Sequence, residues 1–199
     1  MGGREPLERG PRCRNWWCSQ PGRPLGAVYS EGTYTGRLRS AIVSYKYRAD
    51  LRWARVFGDL LCAYLFRHPT WFEELAVICP LPSYVGPGAR RAWGHVELFC
   101  AELGRQSGGQ WPVEPLLKKS AETEPMSAKP GAVRHQIAFR RLPGTFARDA
   151  RYEVAGRRIL LVDDVCATGE TLMAAAGALR QCGAAEVTAL VLARSEWHL

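Results

Sequence analysis

The sequence contains no uncharged apolar run of about 18 residues, so it predicts no membrane span. Its opening stretch, Met1 to Gly10, has no apolar segment of the kind a signal peptide needs, and the expected compartment is the cytoplasm. No Gly-x-x-x-x-Gly-Lys-Ser/Thr string occurs, which excludes a Walker A phosphate loop. Internal repeats are absent. Histidine is scarce, and His68, His135 and His198 lack the spacing of a triad or metal cluster. Acid is short relative to base: 19 Asp and Glu stand against 27 Lys and Arg, a net charge of +8. That excess favours an anionic partner, whether nucleic acid, an acidic membrane surface or a phosphorylated small molecule. The seven cysteines are odd in number and mostly lie in apolar surroundings, which reads as reduced thiols rather than a disulfide framework. At 199 residues the chain is too short for a (β/α)8 barrel of about 250. It supports one domain of roughly 150 residues with an appendage, or two very small ones.

The first segment, residues 1–34, is rich in Gly, Pro and Arg and predicts an arm, with the main domain over residues 35–199. Apolar spacing predicts helices over 36–48 and 51–66, the latter with Val56, Phe57, Leu60, Leu61, Tyr64 and Leu65 on one stripe. The run Leu75-Ala-Val-Ile-Cys79, stopped by Pro80 and Pro82, suits a buried strand. Residues 91–103 read as a helix. Between Lys118 and Phe146 the chain is polar and broken by Pro and Gly, as a lid or binding loop would be. A strand over 158–162, a helix over 170–181 closed by Gly183, and a strand over 186–193 make a βαβ unit. The fold class is therefore α/β: a parallel sheet flanked by helices.

Ile159-Leu-Leu-Val-Asp163-Asp164-Val-Cys-Ala167-Thr168-Gly169-Glu170-Thr171 carries most of the information. Four aliphatics make a buried strand, so the acidic pair is expected at its carboxyl end, where open α/β sheets bind ligands. Adjacent carboxylates repel, and burying them is costly without donors or a cation. The small residues after them turn into a helix whose first N–H groups can converge on an anion, with Thr168 and Thr171 adding hydroxyls. Hydroxyls on the acids and a phosphate in the loop match what a ribose 5-phosphate presents. A receiver domain also opens on paired Asp, but the 35 residues after Asp164 are too few for one of about 100 or more. The remaining alternative is that Asp164 and Thr168 simply cap the turn.

Leu161 to Thr171 resembles the phosphoribosyl pyrophosphate (PRPP) motif of type I phosphoribosyltransferases. Gly36 to Arg48, Cys79-Pro-Leu-Pro82, Arg90-Arg91-Ala-Trp-Gly-His95 and Arg134 to Phe139 are similar to segments of the ComF (competence protein F) family. The resemblance implies a type I phosphoribosyltransferase-like core. In that reading Asp163 and Asp164 receive the ribose hydroxyls, with Mg2+ shared between them and the substrate. Ala167, Thr168, Gly169, Glu170 and Thr171 hold the 5-phosphate. Ser83, with Arg90 or the catalytic Arg91, meets the pyrophosphate, and residues 118–141 close over the site. An acceptor nitrogen then attacks C1 as pyrophosphate leaves. The chain departs from the family at Ala92 to His95, where Gly-Phe-Asn-Gln is expected, and in residues 126–139, where the family's Gln and Asn are not evident. The acceptor pocket is what these changes affect.

Cys13 and Cys18 resemble half of that family's Cys-rich zinc module, but a structural zinc takes four ligands and this segment offers two. A free or oxidised pair is the alternative. Trp16 and Trp17 read as burial, Lys46 as either substrate-facing or solvated, and His95 as an acceptor contact or a cap. Two functions follow: a Mg2+-dependent phosphoribosyltransferase acting on an unidentified acceptor, or a non-catalytic PRPP-binding module linked to DNA uptake or processing through DNA-processing proteins. A domain that has lost its ligand is the third reading.

Overall fold

The computed structural model describes residues 22–84, 94–119 and 145–195. Strand β1 (Val28–Thr33) leads into helices α1 (Gly36–Arg48) and α2 (Arg52–Arg67). After a single 3-10 turn come strand β2 (Val77–Pro80), helix α3 (His95–Gln106) and the short strands β3 (Leu117–Lys119) and β4 (Phe146–Arg148). Strand β5 (Arg158–Cys166), helix α4 (Glu170–Gln181) and strand β6 (Glu186–Arg194) complete the described order. The main sheet runs β1-β6-β5-β2 with every pair parallel, while β3 and β4 form an antiparallel pair of their own. Beside β2 the chain at Val113 adds an isolated parallel bridge to Ile78. This is the helix-flanked parallel sheet expected from the sequence.

Two findings differ from the sequence reading. Residues 28–33 are not loose arm but the edge strand of the sheet, and Leu25 just before them is buried. An edge strand covered on one side needs no aliphatic run, and Val-Tyr-Ser-Glu-Gly-Thr has none. Residues 1–21 of the expected arm, with Cys13 and Cys18, lie outside the described residues. Second, β5 does not stop at Val162 before the acidic pair. It continues through it to Cys166, because β6 keeps offering partners: Asp163 pairs with Val191 and Cys166 with Arg194.

Period-two alternation along β5 sorts its side chains between two cores. Ile159 and Leu161 pack under α4 with Leu172, Ala175, Ala176 and Leu179. Leu160 and Val162 face α1, α2 and α3 with Ile42, Phe57, Leu61, Val96, Phe99 and Leu103. Helices α2 and α3 meet closely at Gly58, where an added Cβ would stand 2.6 Å from the Glu102 side chain and 2.9 Å from the Leu103 nitrogen. The absence of a side chain there is what lets the pair support the sheet so tightly.

Candidate functional site

Strands β2 and β5 lie side by side, with Pro80 opposite Val162, but the helices that follow them cover opposite faces. A crevice therefore opens at their carboxyl ends, the usual ligand position in parallel α/β sheets. Ser83 comes into it from the chain after β2, Lys46 from the end of α1, His95 from the start of α3, and Asp163 and Asp164 from β5.

Asp164 is 3% exposed and is the centre of a chain of polar contacts. Its Oδ2 lies 2.7 Å from Lys46 Nζ and 2.5 Å from His95 Nε2. The carboxylate accepts, so Nε2 carries the proton. On the other side of the ring, Nδ1 is 3.1 Å from Ser83 Oγ. The backbone of the same histidine is held by Tyr45, whose hydroxyl donates to the His95 carbonyl at 2.6 Å. Burial, reinforced by Cys100, Asp164 and Glu97, pushes the Tyr45 phenol well above its ordinary range, which keeps it a donor. The Ser83 N–H donates to Glu97 Oε1 at 3.4 Å, and Glu97 Oε2 is buried with no hydrogen-bond partner. Asp163 is half-buried and accepts the Asp164 N–H through Oδ1 at 2.8 Å.

The two carboxyls differ in charge state. Burial, with the neighbouring Asp164 adding to it, pushes Asp163 up to about 7 against the opposing pull of Lys46 and Lys119. Burial also raises Asp164, but Lys46 and His95 outweigh it and hold the group well below the usual carboxylate range. Between about 4 and about 7 the folded protein keeps a proton on Asp163 that the unfolded chain has released, so this group makes the fold less stable as pH rises through that window. Above it there is no further loss. Asp164 acts with the opposite sign, its contribution being lost as acid protonates it. Urea denaturation of Asp163→Asn is therefore expected to show a flatter stability profile than the unaltered protein between about pH 5 and about pH 7.5. An identical slope contradicts the assignment.

Past Cys166 the chain bends through residues 167–169 into α4. Gly169 occupies the N-cap with φ +82° and no side chain caps the helix. The Met173 N–H donates to the Gly169 carbonyl at 2.9 Å, an i to i−4 bond at the start of the helix. The N-cap position thus belongs to Gly169 and to neither Asp164 nor Thr168. Thr168 is buried, Ala167 is exposed and Thr171 is half-buried. Glu170 is 1% exposed, so its carboxylate is buried rather than presented to solvent.

Of the sequence-derived site residues, the fold thus brings together Ser83, Asp163, Asp164 and the loop 167–171. Arg90 and Arg91 lie outside the described residues, as does most of 118–141. Lys118 is exposed and pairs with Asp149 at 3.3 Å, whereas Lys119 is close enough to influence Asp163. Tyr45 was missed by sequence reasoning, and the roles of Lys46 and His95 were left open between two readings. His95 does not occupy the cap of α3, which is Gly94; its ring bridges Ser83 and Asp164. A contact across 69 positions leaves no local signal in the sequence.

A second concavity, a cavity of about 350 Å3, lies at the opposite end of the sheet among Tyr29, Trp71, Phe72, Glu74, Arg158 and Glu186. Its Arg158 is already paired with Glu74 and Glu186. Among the described residues no group of three or more His, Cys, Asp or Glu is placed to hold a metal, and no helix is long and apolar enough to cross a membrane.

Residues 112–196 match the family model described as phosphoribosyl transferase domain. The match covers the acidic pair, the 167–171 loop, α4 and β6, and it supports phosphoribosyl transfer as the chemistry of this part of the chain. With the parallel sheet and its flanking helices, it is consistent with a type I phosphoribosyltransferase-like core. Lys46, Ser83 and His95 lie outside the matched residues but inside the same crevice. The chain finds no match among curated proteins.

Proposed function

We propose that the protein is a phosphoribosyltransferase of the competence protein F type, which binds PRPP with Mg2+ and transfers the phosphoribosyl group to an acceptor nitrogen with release of pyrophosphate. The observation that carries this reading is the start of α4 behind a left-handed Gly169, following closely on the acidic pair and within the stretch matching the phosphoribosyl transferase domain. The loop amides receive the 5-phosphate, the acidic pair the ribose, and Ser83 the pyrophosphate side. As the C1–O bond to pyrophosphate lengthens, positive charge grows on the ribose and negative charge on the leaving group. The carboxyl of Asp163, once its proton is released, favours the first, while the crevice's cations, Lys46 and Lys119 among them, stabilise the second.

The donor set fits Mg2+, which binds through one or two carboxylates plus substrate oxygens and water rather than through a protein cage. Asp163 would hold it, since Asp164 Oδ2 is already taken by Lys46 and His95. When bound, it would neutralise charge on the pyrophosphate. Four buried free cysteines, Cys62, Cys79, Cys100 and Cys166, support a reducing compartment such as the cytoplasm.

A second reading is a PRPP-binding regulatory module without turnover, working with a DNA-processing partner. It is favoured by the departure at residues 92–95, because the His95 found there is engaged by Asp164 and Ser83. Calorimetry with PRPP and Mg2+, followed by pyrophosphate release against a panel of nucleobases and amines, tests both. Binding with release supports the transferase, binding without release supports the module, and no binding removes both.

A further inference from the structure

We infer a second activity in the same crevice: Ser83, His95 and Asp164 act as nucleophile, base and positioning carboxylate in the hydrolysis of a small carboxylic ester. This goes beyond the phosphoribosyl reading and does not depend on it. Ser83 and His95 lie outside residues 112–196, and only Asp164 belongs to both readings.

The contacts run in one line, with Asp164 as their hub. Its Oδ2 lies 2.5 Å from His95 Nε2, and the far nitrogen of that ring lies 3.1 Å from Ser83 Oγ. A hydroxyl within hydrogen-bond reach of a base that a third group orients is the geometric signature of an activated nucleophile. Burial alone would protonate Asp164, yet Lys46 and His95 hold it well below the usual carboxylate range, so it only accepts. Nε2 is therefore the donor, and in the neutral ring Nδ1 is left bare to accept the Ser83 hydroxyl proton. That is the direction a general base needs. Tyr45 fixes the base by donating to the His95 carbonyl at 2.6 Å, and the histidine itself is 4% exposed. Ser83 is half-buried, more accessible than either partner. Only a small acyl group can therefore approach its hydroxyl. Residue 95 is also one of the sequence departures, standing where Gln is expected, and a Gln amide takes no proton at neutral pH.

In the first step Ser83 Oγ bonds to the ester carbonyl carbon and its proton passes to His95 Nδ1. The imidazolium is stabilised by the Asp164 carboxylate on its other nitrogen. The carbon–oxygen bond to the alcohol then breaks, and that oxygen takes the proton from Nδ1. Water attacks the acyl group in turn, giving one proton to Nδ1, which returns it to Ser83 Oγ as the carboxylic acid leaves.

Two measurements on the full chain test this: release of 4-nitrophenol from 4-nitrophenyl acetate, and labelling by a fluorophosphonate with the modified residue located by mass spectrometry. The unaltered protein is expected to hydrolyse the ester and to carry the label on Ser83. Ser83→Ala and His95→Gln are each expected to slow hydrolysis by about 100-fold, the low end for losing general-base assistance. His95→Gln is the decisive variant, because it keeps a hydrogen-bonding partner for Ser83 while removing the base. Circular dichroism melts show that both variants are folded. No label, a label on another residue, or hydrolysis that persists in either folded variant overturns the proposal. Each of those results leaves the phosphoribosyl reading standing, since calorimetry with PRPP and Mg2+ decides that one separately.

Discussion

Replacing Asp164 with alanine is expected to cost about 3–5 kcal/mol of folding stability, the range for removing one partner from a buried ion pair. The carboxylate is 3% exposed, and its removal leaves the Lys46 ammonium, which is 16% exposed, facing the space it vacates. His95 loses the acceptor that fixes its tautomer, and with it the orientation that meets Ser83. Two comparisons make the cause visible. Asp164→Asn keeps an oxygen acceptor for both donors and is expected to lose less than the alanine variant. Adding Lys46→Met to Asp164→Ala removes the stranded charge, so the double variant is expected to recover part of the loss, a coupling of about 0.5–3 kcal/mol. Urea denaturation of the four proteins decides it. A loss under about 1 kcal/mol for Asp164→Ala, the level of an exposed pair, contradicts the hub.

Gly169→Val is expected to abolish measurable binding of a 5-phosphorylated ribose while leaving the rest of the fold intact. Gly169 holds φ at +82°, a region where an L side chain costs about 1–2 kcal/mol and a β-branched one is least tolerated. That strain is relieved by turning the peptide planes of the loop, which displaces its N–H groups. The fold can bear the penalty, since β5 and α4 are anchored elsewhere through Leu160, Leu161, Leu172 and Leu179. Binding cannot, because the amides act together. Calorimetry with ribose 5-phosphate beside a circular dichroism melt separates the two effects. Retained affinity in a folded Gly169→Val places the phosphate elsewhere.

The legible parts of this chain were those with strong local signals. The β5–α4–β6 unit announces itself by its aliphatic strand, its Thr-Gly turn and the Gly183 stop, and α1 and α2 by their apolar spacing. Strand β1 was hidden because its burial comes from a neighbour, β6, more than 150 positions away in sequence, and its own residues look like a turn. The length of β5 was hidden for a related reason: two aspartates look like a strand end until Lys46 and His95 are known to receive one of them. Those partners come from helices at distant positions, and only the packing of α2 on α3 at Gly58 and of both on the sheet sets them there. The candidate site was thus half legible. Its phosphate loop follows from chain order, whereas its electrostatic centre follows from tertiary contacts.

Backbone amide shifts on titration with ribose 5-phosphate test the central claim most directly. The account predicts that the largest changes fall on residues 167–171 and Asp163, with the aromatic cavity around Tyr29 and Trp71 at the far end of the sheet undisturbed. Changes centred on that cavity, or a silent 167–171 loop at saturating ligand, would contradict it.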